Sequence, residues 1–265
     1  MSVSAPAASI IVPTFREAAN LETLIERCFQ ATQSASIQAE LIIVDDNSND
    51  GTEAVIEKFV ERYPVKLIIR KGKRGLATAV LTGFSHAAGD KFVVLDADLQ
   101  HPPEMIPALL LALDKNQCDF ALGSRYAQGG GIEESWPWYR RLTSRVATLL
   151  ANPLAPLADP MSGFFAIKRK TWENAAHLNP LGYKIALELY VKGRCTKPTE
   201  IPIHFATRQA GESKLTFSQQ IQYARHLLGL FKFRFPRVYG LTSAILLFSV
   251  MGAMLIISKP LWSAS

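Results

Sequence analysis

Through the first half of this chain, short runs of β-branched residues alternate with segments of helical period, a pattern that leaves few possible folds. Residues 9–12, 40–44, 65–69, 91–95 and 119–122 predict strands, and 19–32, 52–62, 76–88 and 104–114 predict the helices between them. This βαβα order predicts an α/β fold with a mainly parallel, doubly wound, Rossmann-like sheet. A chain of 265 residues suits one large domain with an appendage. In such sheets ligands bind beyond the carboxyl ends of the strands. The segments to inspect are therefore 13–17, 45–48, 70–76, 96–104 and 123–126.

The segment Asp96-Ala97-Asp98-Leu99-Gln100-His101-Pro102-Pro103-Glu104 follows the apolar run Val93-Val94-Leu95, and its prolines prevent the strand from continuing. Two carboxylates at i and i+2 with an amide oxygen at i+4 offer hard oxygen ligands. Asp96, Asp98 and Gln100 are thus candidate ligands for Mg²⁺ or Mn²⁺ beside a diphosphate. Asp46, at another strand end, either accepts hydrogen bonds from a nucleobase or, with Asp45, caps the next helix. The spacing Asp46-x-Ser48-x-Asp50-Gly51-x₅-Glu57 mimics a calcium loop, but the strand-like run Leu41-Ile42-Ile43-Val44 before it excludes that reading. No Ser/His/Asp or Cys/His set is evident, and no Walker loop or dinucleotide fingerprint follows a strand.

The net charge of +6 is unevenly placed: Arg208, Lys214, Arg225, Lys232, Arg234 and Arg237 face only Glu212 between residues 205 and 237. An anionic partner belongs there, phosphate or phospholipid rather than nucleic acid, for which no recognition pattern is present. Cys28, Cys118 and Cys195 are widely spaced and read as reduced core thiols. No signal peptide is evident, so the N-terminal part is expected in the cytosol. Residues 238–258 carry no charge and as a helix would span about 30 Å, either crossing a bilayer or forming a buried core helix. Basic residues on the N-terminal flank of that span favour the cytosolic side for the large domain. Helical segments with Leu142, Val146, Leu149 and Leu150, and with Ile221, Leu228 and Phe231, are amphipathic, and either lie in a membrane interface or pack on the domain. Trp136-Pro137-Trp138-Tyr139-Arg140-Arg141 reads either as a headgroup-level segment at a lipid entry or as a buried aromatic corner. Gly129-Gly130-Gly131 predicts a mobile loop, a candidate lid.

Taken in order, Pro13-Thr14-Phe15-x-Glu17, Val44-Asp45-Asp46-Asn47-Ser48, Arg74-Gly75-Leu76, the Asp96–Pro103 segment, Gly123-Ser124-Arg125-Tyr126, Asp159-Pro160-Met161-Ser162-Gly163-Phe164-Phe165 and Gly211-Glu212-Ser213-Lys214-Leu215 resemble family 2 glycosyltransferases of the polyprenyl-phosphate type. The likeness runs over nearly the whole chain and is greatest to fungal members with their own C-terminal membrane segment.

The resemblance implies a GT-A catalytic domain at 1–216, an amphipathic interface helix at 217–236, a transmembrane helix at 237–258 and a short lumenal tail at 259–265. It implies transfer of mannose from GDP-mannose to dolichyl phosphate with inversion, at the endoplasmic reticulum membrane, by a single chain. A related donor such as UDP-glucose is the alternative. Carried over by position, Pro13, Phe15, Glu17, Val44 and Asp46 would hold the guanosine, and Asp96, Ala97, Asp98 and Gln100 the metal and diphosphate. Arg125, Arg208 and Lys214 would meet phosphates of donor or acceptor, which makes Asp96, Asp98, Arg208 and Lys214 the expected catalytic set. Phe15 replaces a tyrosine often found at that place, leaving only ring contact.

Overall fold

A computed structural model describes residues 5–72, 74–115, 118–132, 138–179, 184–206, 217–238 and 240. The elements run β1 (Ala8–Thr14), α1 (Ala18–Ser34), β2 (Ala39–Asp45), α2 (Thr52–Glu57), β3 (Val65–Ile69), α3 (Leu76–His86), β4 (Lys91–Val94), α4 (Ile106–Asp114) and β5 (Phe120–Ser124). There follow β6 (Gly131–Ile132), α5 (Trp138–Ala151), β7 (Phe165–Lys168), α6 (Arg169–Glu173), α7 (Ile185–Lys192), β8 (Pro198–Pro202), β9 (His204–Phe205) and α8 (Phe217–Arg234).

Seven strands form one sheet in the order β3-β2-β1-β4-β7-β5-β8, and β6 pairs with β9 in a small second sheet. Within the main sheet β7 alone is antiparallel to its neighbours, pairing Val94 with Phe165 and Leu122 with Phe165. After α5 the chain returns to the carboxyl end of β4 before it enters β7. The antiparallel strand therefore starts there, and residues 159–163 become a turn at the ligand-binding edge. The strand itself accordingly begins only at Phe165.

Strand alternation divides the core between the two faces of the sheet. Ile10, Val12, Leu41, Ile43, Val93 and Phe164 pack with α1 and α4, whereas Ile11, Phe92, Val94, Phe120, Leu122 and Phe165 pack with residues of α3, α7 and α8. One helix is shorter than predicted. The helix expected over 52–62 ends at Glu57, and turns continue to Arg62. Ile203 separates β8 from β9. Gly129–Gly131 form a turn leading into the β6–β9 pairing, with the Gly130 N–H on the Ala127 carbonyl.

Both amphipathic helices leave apolar residues exposed. On α5, Val146, Leu149 and Leu150 are exposed, and on α8 Leu228 is exposed, while Leu227, Leu230 and His226 face inward. The two helices meet where the Tyr223 hydroxyl donates to the Ala147 carbonyl at 2.8 Å. Among the described residues no helix is long and apolar enough to cross a membrane. Residues 241–265, and with them most of the expected 237–258 span, lie outside the described set. The three cysteines are free and buried, and burial pushes the Cys195 thiol up to about 12.

Candidate active site

The predicted strand-end segments do converge on one edge of the sheet, where loops after β1 and β2 are laced together. The Arg16 N–H donates to the Ser48 hydroxyl at 2.8 Å, and that hydroxyl donates to Asp45. Asp45 also accepts from the Ser48 N–H at 2.8 Å, closing the β2 turn. Asp50 accepts from the Ala18 and Thr52 N–H groups, at 3.0 and 3.2 Å. That aspartate ties α2 to the β1 loop, a structural use that agrees with excluding a calcium loop here.

Pro13 and Val44 are buried in their strands, and Phe15 is half-buried. The Phe15 ring lies under two guanidinium groups, with the Arg74 and Arg16 carbons 4.5 and 5.2 Å from its centroid. Glu17 accepts from the Asn20 amide at 2.8 Å. Asp46 does not cap α2. Its Oδ1 accepts from Arg70 Nε at 2.7 Å and from Arg70 Nη2, while Oδ2 accepts from the Gly75 N–H at 2.8 Å. Arg70 also donates to Thr78 Oγ1 and the Gly75 carbonyl, so one buried ion pair fixes the loop that leads into α3. Gly75 sits at φ +146°, open to glycine and disfavoured for other residues. Arg70 had been placed on the ligand edge by its position after β3, but its pairing with Asp46 was not anticipated.

After β4 the chain turns sharply at Leu99, whose φ of +59° is rare for a bulky residue and marks local strain. This conformation lets the Gln100 N–H donate to Asp98 Oδ1 at 3.2 Å. Ala97, Asp98 and Gln100 are buried, whereas the Asp96 side chain keeps 33% of its exposure. Gln100 Nε2 donates to the Ala206 carbonyl at 3.0 Å, and the Ala206 N–H returns a bond to the Gln100 carbonyl at 3.1 Å. The amide nitrogen is thereby committed, leaving Oε1 as the metal-compatible atom of that side chain.

His101 is buried between the Phe164 and Phe205 rings, with Nδ1 3.6 Å from Asp96 Oδ2. Burial lowers its pKa despite the pull of Asp96 and Asp98 in the other direction. Among the described residues no group of three or more His, Cys, Asp or Glu could by itself hold a metal ion. Two carboxylates and one amide oxygen fit instead a Mg²⁺-like ion completed by phosphate oxygens and water.

Arg125, expected to meet a phosphate, is held by Asp159. Nε and Nη2 reach Oδ2 and Oδ1 at 2.7 Å each, and the Arg125 backbone N–H reaches Oδ2 at 3.0 Å. Burial opposes the charge on Arg125, but its bonds to Asp159 outweigh burial and raise its pKa. Asp159 is itself placed by its N–H bond to Glu200 at 3.1 Å. In the same turn, Gly163 lies so close to Asp96 that an added Cβ would come 3.1 Å from Oδ2. The Lys184 ammonium donates to the Met161 carbonyl at 2.8 Å. Asp159 stood in a recognised motif without a role, and nothing in the sequence signalled Lys184. Arg208, Lys214 and the 133–137 segment, which includes Trp136, lie outside the described residues.

A seven-stranded sheet with one antiparallel strand and an Asp-x-Asp turn after its central strand defines a class, and comparison with known proteins names it. Residues 9–174 match the model of glycosyl transferase family 2, and the chain belongs to that family. It is a glycosyltransferase enzyme with a GT-A-like fold. A protein of Mycosarcoma maydis named dolichol-phosphate mannosyltransferase is 46% identical over 243 residues, 89% of this chain and 82% of that protein. One of the same name from Pyrococcus furiosus is 43% identical over 248 residues, 92% of this chain and 68% of that protein. The fold matches glucosyl-3-phosphoglycerate synthase from Mycobacterium tuberculosis, solved with Mn²⁺, uridine diphosphate and phosphoglyceric acid, at a TM-score of 0.63 and 17% identity over 86% of this chain and 78% of that one.

Proposed function

We propose that this chain transfers mannose from GDP-mannose to dolichyl phosphate, releasing GDP, with inversion at the anomeric carbon. The single observation that carries this reading is 46% identity over 89% of the chain to a protein of the named activity. The arrangement of the site supports it. Pro13, Phe15, Glu17, Val44 and Asp46 line the β1–β2 edge as a guanosine site, in which Asp46 acts from a carboxylate already oriented by Arg70. Asp96, Ala97, Asp98 and Gln100 take the diphosphate and a divalent cation, Mg²⁺ or Mn²⁺. When bound, the ion offsets charge growing on the departing diphosphate.

The acceptor is a phosphate monoester whose second pKa near 6 leaves it ionised at neutral pH, so no general base is required. Its oxygen forms the bond to the anomeric carbon as the bond to the diphosphate breaks, and no proton moves. Catalysis then rests on alignment and on stabilising charge at two phosphates. Arg125, Arg208 and Lys214 serve phosphates of donor or acceptor. For Arg125 this means acting from the fixed fork with Asp159.

The exposed apolar residues of α5 and α8, with exposed Arg145, Arg225, Lys232 and Arg234 on the same helices, support contact with a membrane interface. In this reading 1–216 is the catalytic domain, 217–236 the interface helix, 237–258 the anchor and 259–265 a lumenal tail, at the endoplasmic reticulum with the catalytic domain in the cytosol.

Purified chain given GDP-mannose, dolichyl phosphate and Mg²⁺ or Mn²⁺ should form dolichyl phosphate mannose without other subunits, and a chelator should stop it. Transfer from UDP-glucose but not from GDP-mannose would overturn the donor assignment. Arg208→Lys is expected to lose most activity, because a forked guanidinium grips phosphate in two places and an ammonium does not.

A further inference from the structure

One half-buried cation beside this site has no part in the mechanism above. Lys184 stands immediately before α7, and its ammonium is anchored on the Met161 carbonyl at 2.8 Å. That carbonyl belongs to the 159–163 turn. The same turn presents Asp159 to Arg125 and packs Gly163 against the Asp96 carboxylate. Three chain segments distant in sequence thus bring Lys184, Arg125 and Asp96 around one turn. Arg125 already faces its own counter-ion in Asp159.

Removing the ammonium from water and placing it near Arg125 are both unfavourable, and together they pull the Lys184 pKa down to about 8 although Asp159 and Asp96 act the other way. An arriving dianion would offset both penalties. Sheet order indicates which phosphate this is. The loops assigned to the nucleotide follow β1 and β2, and β4 carries the Asp96–Gln100 turn. Arg125 just after β5 and the turn before β7 lie across β4 from the nucleotide half, and Lys184 is bonded to that turn. An in-line displacement needs its attacking group on the side of the sugar away from the diphosphate, and that is this half.

We propose that Lys184 binds the phosphate of the polyprenyl acceptor, holding the attacking dianion on the face of the sugar opposite the departing diphosphate. Lys184 supplies charge and takes no proton: the phosphate oxygen bonds the anomeric carbon, and the electron pair of the broken bond leaves with the nucleoside diphosphate. The inference rests on the reading of the chain as a polyprenyl-phosphate transferase.

The test uses the full chain in mixed micelles, with Lys184→Met and Lys184→Arg compared with wild type. At saturating GDP-mannose, Lys184→Met should raise the KM for dolichyl phosphate by about tenfold or more, as loss of a charge-assisted bond implies. The KM for GDP-mannose and the affinity for GDP should stay within about twofold, and Lys184→Arg should recover most of the acceptor affinity. An unchanged acceptor KM, or a rise confined to the donor, would overturn the proposal. If Lys184→Met does not fold, Lys184→Gln is measured in its place, and failure of both to fold assigns Lys184 to stability and ends the idea. A wild-type chain inactive on dolichyl phosphate with every nucleotide sugar would refute the function proposed above, whereas an active wild type with an indifferent Lys184 would refute only this step.

Discussion

Asp159 is the residue whose removal most directly tests how the site is held. It has no solvent exposure and accepts three N–H bonds from Arg125, two of them at 2.7 Å from a guanidinium that is itself only 9% exposed. Asp159→Ala would take from a buried cation the three bonds that this carboxylate accepts, a loss of about 3–5 kcal/mol for breaking a buried pair from one side. For a chain of this size that corresponds to a fall of about 6–20 °C in Tm. Arg125→Met alone should also destabilise, because it leaves Asp159 buried without its cation. Combined with Asp159→Ala, however, it removes both charges together and should cost clearly less than the two single changes summed. Urea unfolding of the four proteins, measured far from the acid range, gives the coupling directly. A loss below about 1 kcal/mol for Asp159→Ala, or strict additivity in the double variant, would show that the pair does not organise the turn.

Other consequences follow from the same geometry. Gly163→Ala would place a methyl group 3.1 Å from Asp96 Oδ2, and should weaken the apparent affinity for Mg²⁺ or Mn²⁺ in a metal titration more than it lowers Tm. Asp98→Asn removes a buried carboxylate charge from the proposed cation site and should lower transfer by about a hundredfold or more; transfer near the wild-type rate would detach Asp98 from the reaction. Burial disfavours the Glu188 carboxylate charge, but nearby His226 and bonds from Lys192 and the Asn179 N–H hold its pKa down to about 2. Its folded value lies below its unfolded one, so its contribution is full above about pH 5 and is lost as pH falls toward 2. Glu188→Gln should therefore be less stable than wild type at pH 6 and converge with it in acid, as thermal melts against pH would report. An added Cβ at Gly89 would meet the Ala8 backbone at 2.6 Å, so Gly89→Ala should destabilise by about 1–3 kcal/mol in denaturant melts.

Much of this molecule was legible because hydrophobic period is a local property. β1 to β5 and the helices between them, except the shorter α2, fall where alternation and helical spacing put them, and parallel βαβ order brings Pro13, Asp46 and Asp96 to one edge. Amphipathic faces were harder to read: a stripe of Val146, Leu149 and Leu150 says that a helix has two sides, but not which side meets the domain. The pairing of β7 was beyond the reach of pattern, since its direction depends on where the chain returns after α5.

The sequence by itself determined the alternating architecture, the ligand-binding edge, and the two carboxylates and amide of the Asp96–Gln100 turn, because each is encoded within a few consecutive residues. Only the tertiary structure decided that Asp46 is held by Arg70, 24 residues away, that Arg125 is gripped by Asp159, 34 residues away, and that Lys184 enters the same site. The physical reason is that buried charges are governed by what lies across space from them. Those partners are chosen by packing of the sheet and its turns, and no local run of residues specifies them.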